Sequence, residues 1–145
     1  MYRVVSIAPL LAGGGAGARR GVPVNAGARR ILIVDDDPQV NEFLVWLFLK
    51  NEFEVAAAQD GARALDFISK GRFDVILLDL VMPGMGGYAV IKELRDAGVD
   101  LPIVVHSSHI GVLDPKRIKA LGATEVLLKP ANPEELLEVV RRVAR

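Results

Sequence analysis

Asp35, Asp36, Asp79, Ser107 and Lys129 stand at or just beyond the ends of short apolar runs: ILIVDD, VILLD, PIVVHS and EVLLK. A charge that leaves water needs a partner, so carboxylates ending buried segments imply a cation or a hydrogen-bonding cradle. Three acids brought together repel one another. An oxygen-rich site of this kind suits Mg2+, which takes one or two carboxylates, waters and phosphate oxygens. The ion would offset the like charges and tie a phosphoryl group to the acids. A carboxylate can itself be the nucleophile and form an aspartyl phosphate. Lys129 then places positive charge on the phosphoryl oxygens, and Ser107 offers a hydrogen-bond donor. Phosphoryl transfer asks mainly for such positioning and neutralisation.

These groups can act together only if the runs lie side by side. Short apolar runs bounded by turn residues read as strands buried on both faces. The pattern predicts strands at Ile31–Val34, Glu54–Ala58, Asp74–Leu78, Ile103–Val105 and Glu125–Leu128, with a helix after each. Pro38 opens the first helix, which runs to about Lys50, and the preceding acids favour its positive end. Asp60-Gly61 reads as a turn, and Ala64, Leu65 and Ile68 form the stripe of the next helix, which Gly71 ends. A helix from Tyr88 to Ala97 closes at Gly98. Asp114-Pro115 and Asn132-Pro133-Glu134-Glu135 pair a capping residue with a first-turn proline. Five βα units with short links imply a parallel sheet covered on both faces, an α/β fold. Open sheets of this class work at the carboxyl edge of the strands, where all five residues would meet. Sequential order alone permits several strand arrangements.

The first helix is unusually apolar: Val40, Phe43, Leu44, Val45, Trp46, Leu47, Phe48 and Leu49 exceed what one buried stripe requires. A wide core face is the favoured reading; an exposed docking patch that includes Trp46 is the alternative. His106 alternates away from Ser107 along its strand and reads as core or surface filler.

At 145 residues the chain has the size of one domain with a substantial core. It has no cysteine, which removes disulfides and thiolate metal sites and fits a reducing, cytoplasmic setting. The net charge is zero, but the distribution is not even. Five arginines and no acid lie in residues 1–30, and the rest carries all 18 acids, an excess that argues against a nucleic-acid groove. Residues 1–28, rich in Gly and Ala without a sustained period, read as a flexible basic tail, leaving 29–145 as the domain. A phosphate-binding loop there is disfavoured, because Gly21 and Pro23 interrupt any following helix. Ser6 and Pro9 likewise weaken a secretory signal. No stretch approaches the ~20 apolar residues of a membrane span.

Taken singly, each feature has an ordinary structural explanation. DDDP can be a solvated helix cap, Asp79 a turn acid, Ser107 a cap and Lys129 a surface lysine. Their joint occurrence at four strand ends is more specific. The set VDDDP, DVILLDLVMPGMGG, PIVVHSS and LLKP closely resembles the receiver domain of two-component response regulators, over about residues 29 to 145. The resemblance implies a doubly wound, flavodoxin-like (βα)5 fold with strand order 2-1-3-4-5. It implies that Asp79 is the phosphoacceptor and that Asp35 and Asp36 form the acid pair, with Asp36 the more direct Mg2+ ligand. The backbone carbonyl of Val81 would join the metal's ligands, Ser107 would be the switch hydroxyl, and Lys129 the family's lysine. The phosphodonor would be a phosphohistidine on a sensor histidine kinase or phosphotransfer protein. Output would use the last helix, the fifth strand and the helix before it, including a phosphorylation-dependent homodimer.

Three positions depart from the pattern. Val126 replaces the aromatic residue common three places before the lysine, and Ala131 stands where Phe is common. His109 occupies a place that influences phosphoryl lifetime in this family; with Val81 it is expected to flank the phosphoryl group and set water access. No output domain fits into residues 1–28 or after Arg145, so the expectation is a stand-alone receiver, with a fragment of a larger regulator or hybrid kinase as the alternative. An aspartyl-phosphate phosphatase of the haloacid dehalogenase type would need an acid at position 81, which is Val. A flavodoxin-like cofactor module would need a phosphate cradle where DDDP stands. The favoured reading is therefore a signalling switch rather than an enzyme.

Overall fold

Side chains alternate along each central strand, and that alternation builds two separate apolar layers. The computed structural model describes residues 27–108 and 114–145; His109 and most of the expected tail lie outside them. The strands are β1 (Arg30–Val34), β2 (Glu54–Ala58), β3 (Val75–Leu78), β4 (Ile103–Ser107) and β5 (Glu125–Leu128). The helices are α1 (Pro38–Lys50), α2 (Gly61–Lys70), α3 (Gly87–Asp96), α4 (Pro115–Leu121) and α5 (Pro133–Val143). All strand pairings are parallel and the order is β2-β1-β3-β4-β5, the doubly wound arrangement the resemblance implied.

Ile31 and Ile33 of β1, Val75 and Leu77 of β3 and Val104 of β4 point to one face, against Leu44, Leu47 and Phe48 of α1 and Leu136, Val139 and Val140 of α5. Leu32, Val34, Ile76, Leu78, Ile103 and Val105 point the other way, against Ala64 of α2, Val90, Ile91 and Leu94 of α3, and Ile118 of α4. Strands buried on both faces need apolar residues at successive positions, which is why the sequence shows runs there.

Helix starts follow from side-chain caps. Asp37, Asp60, Asp114 and Asn132 each accept a hydrogen bond from a backbone N–H in the first turn of the helix they precede. Asp60-Gly61 is therefore a cap and first helical residue, not an isolated turn. β4 also continues two residues past Val105, because His106 and Ser107 pair with Leu127 and Leu128.

The wide core face expected for α1 needs correction. Leu44, Leu47 and Phe48 are buried, whereas Phe43, Trp46 and Leu49 are 42%, 54% and 38% exposed. The helix turns one stripe inward and carries a second across its surface, where Phe43 and Trp46 lie 6.0 Å apart between ring centroids. Sheet and α5 already cover the inward stripe, so the surplus has nowhere to be buried.

Candidate functional site

β1 and β3 are neighbours in register, Val34 opposite Leu78, so the next residues, Asp35 and Asp79, emerge side by side at the carboxyl edge. Each is tied by its backbone: Asp35 N–H donates to Ala58 O at 3.2 Å, and Asp79 N–H to Val34 O at 2.9 Å. Asp35 and Asp79 are buried, and Asp36 is exposed beside them. One carboxylate oxygen from each of the three lies within 4.8 Å of the others. Ligand atoms around an octahedral Mg2+ stand roughly 3–4 Å apart, so these acids fit the ion after small side-chain movements.

Lys129, just beyond β5, reaches across to both buried acids. Its Nζ donates to Asp35 Oδ2 at 2.6 Å and to Asp79 Oδ2 at 3.3 Å. Asp35 Oδ1 accepts from Asp37 N–H at 2.9 Å, and Asp79 Oδ1 is approached by Val81 N–H at 3.4 Å. Burial raises the pKa of Asp35 and outweighs the hydrogen bonds and the lysine charge that lower it. For Lys129 burial pulls downward most strongly, yet the hydrogen bond and charge of Asp35, with those of Asp79, leave the pKa raised. Both groups hold protons more tightly than in water. Three carboxylates gather here around one lysine, an imbalance that a bound cation would offset.

Ser107 is fully buried and ends β4 at the same edge, its carbonyl accepting from Lys129 N–H at 3.0 Å. Val81 is 48% exposed, two residues beyond Asp79. The Lys129–Pro130 peptide bond is cis. All the predicted acids and Lys129 thus come together, with Ser107 and Val81 at the same rim. His106 is buried but points into the α1–α5 layer, away from Ser107.

Two positioning residues were not anticipated. Asn41, fully buried in α1, donates through Nδ2 to the carbonyls of Asp35 and Ala58 and so straps the ends of β1 and β2 to the helix. The signal was present: one amide among eight apolar residues, six places after Asp35. Gly87 is the other. A Cβ there would sit 2.2 Å from Asp79 O and 2.8 Å from Leu80 Cα, so α3 can approach the strand end only without a side chain. In MPGMGG the turn glycines masked this packing role.

A family model for the response regulator receiver domain matches residues 31–141. The response regulator MprA of Mycobacterium sp. (strain KMS) is 41% identical over 116 residues, covering 80% of this chain and 50% of the relative. The chain spans about half the length of the curated relatives it matches. Among solved structures, the receiver domain of the Francisella response regulator 1452 superposes with a TM-score of 0.76 at 28% identity, over 79% of this chain and 95% of that one. The response regulator TrrA from Thermotoga maritima, solved in complex with Mg2+-BeF, gives 0.72 at 30% identity, over 79% and 98%.

Proposed function

The chain belongs to the response regulator receiver domain family, and from that premise we propose that Asp79 is its phosphoacceptor. The observation that carries this reading is the position of the Asp79 carboxylate, buried at the end of β3, 3.3 Å from Lys129 Nζ and grouped with oxygens of Asp35 and Asp36. An Asp79 oxygen attacks the phosphorus of a phosphohistidine on a sensor kinase or phosphotransfer protein. The P–N bond breaks and the imidazole leaves with its electron pair. Lys129 neutralises phosphoryl oxygen charge, and Ser107 donates to the transferred group from β4. Asp35, Asp36 and the Val81 carbonyl would hold Mg2+, which when bound supplies charge neutralisation for acids and phosphoryl oxygens alike.

The modified domain signals by protein contacts, through α4, β5 and α5, either to a separate target or to a further segment of the same polypeptide; the full reading frame distinguishes these. Such switches work with a coupling of ~1–3 kcal/mol between site and surface. Incubation with Mg2+ and a small phosphodonor is expected to give a phosphoryl adduct by intact mass. Asp79→Asn and removal of Mg2+ by chelation should each abolish it. An adduct that survives Asp79→Asn would move the acceptor elsewhere.

A further inference from the structure

Between α1 and the segment joining β5 to α5 the packing parts to leave a cavity of about 290 Å³. Phe43 and Leu44 line it from the helix, Ala131 and Leu136 from the far side, and His106 reaches it from β4. His106 is 6% exposed, and neither of its ring nitrogens has a hydrogen-bond partner among the described residues. Buried polar atoms in folded proteins are nearly always paired, so an imidazole with two open positions beside an apolar space calls for something to enter that space. We propose that this cavity binds a small, uncharged aromatic molecule carrying one hydroxyl or ring N–H, of the phenol or indole class, with the polar group paired to His106.

Size, polarity and charge each narrow the class. A dry cavity of ~150 Å³ already holds a benzene ring, so this one has room for a substituted ring or a fused pair. The lining is mostly carbon; of the charged residues that also reach it, Lys129 is engaged by Asp35 and Asp79, and Asp37 caps α1 by accepting from Gln39 N–H. A charged ligand would lose its hydration and have to compete with these pairings for a counter-ion. A neutral imidazole presents one donor and one acceptor, and a hydroxyl can meet either. Ala131 contributes only a methyl group to the lining, so a larger side chain there is expected to intrude on the space.

The test uses the full chain and 4-ethylphenol, with ethylbenzene as the probe of equal shape that lacks the hydroxyl. Titration followed by 15N NMR of the histidine side chains should show saturable binding with a Kd at or below about 1 mM, and a shift of the His106 ring nitrogens. Ethylbenzene should bind about ten-fold more weakly, since it leaves the imidazole unpaired. Ala131→Phe, at a half-buried loop position, should keep the wild-type amide spectrum away from the cavity and lose the phenol site. Absence of saturation with the wild type, equal affinity for the two probes, or unchanged binding to Ala131→Phe would each overturn the proposal. None of these readouts involves phosphorylation, so they stand apart from the assignment of Asp79.

Discussion

His106 is buried at the wall of the cavity, its ring nitrogens have no hydrogen-bond partner among the described residues, and burial favours its neutral form. Burial, then the nearby Lys129 charge, lower its pKa to about 4, against a smaller opposing pull from Asp79. In the unfolded chain the same ring titrates near 6.5. Below that pH the unfolded state binds a proton that the native state excludes. Stability contributed by this residue is therefore complete above about 6.5 and is lost as pH falls toward about 4, by up to ~1.4 kcal/mol per unit. Urea denaturation at pH 7, 6 and 5 should show the decline, and His106→Phe should flatten it relative to wild type. Comparing the two proteins removes the carboxylate contributions they share, including that of Asp35, whose raised pKa acts in the opposite sense. Asn41 invites a second measurement. Asn41→Ala leaves the Asp35 carbonyl without its side-chain donor and should cost ~1–3 kcal/mol in the same assay. It should also weaken Mg2+ binding in calorimetric titration, because the backbone that carries the Asp35 carboxylate loses its tie to α1.

Much of the element scale was legible beforehand because its signals are local. Apolar runs marked all five strands, and Asp114-Pro115 and Asn132-Pro133 marked helix starts that the structure caps as expected. Asp35, Asp79 and Lys129 could be grouped from sequence because parallel strands must end at one edge. What stayed hidden depends on a partner distant in sequence. Trp46 is 54% exposed because α5 and the sheet leave it no room, a fact that the helix's own sequence does not contain. His106 and Ser107 joined β4 because Leu127 and Leu128 lie opposite. Gly87 gives the element-scale prediction. Gly87→Ala drives a methyl group into the Asp79 carbonyl and must push α3 from the strand end. A loss of about 1–3 kcal/mol is expected by urea denaturation, together with reduced adduct formation at Asp79. A Gly87→Ala protein with wild-type stability would show that α3 can shift without cost.

At the scale of the whole molecule, the sheet separates two apolar layers that share no buried residue among the described residues. Phe48 belongs to one and Ile91 to the other. Phe48→Leu and Ile91→Val should therefore be additive in the double mutant within ~0.3–0.5 kcal/mol, as for sites without shared partners. A larger interaction energy from denaturation curves would mean that the layers communicate through the strands. That partition gives the Asn41 strap a wider meaning. The amide roots in the α1 side of the molecule yet grips the ends of β1 and β2, where both sides meet. A displacement of α1 would therefore be expected to reach the backbone of Asp35 through this amide, without anything entering the pocket.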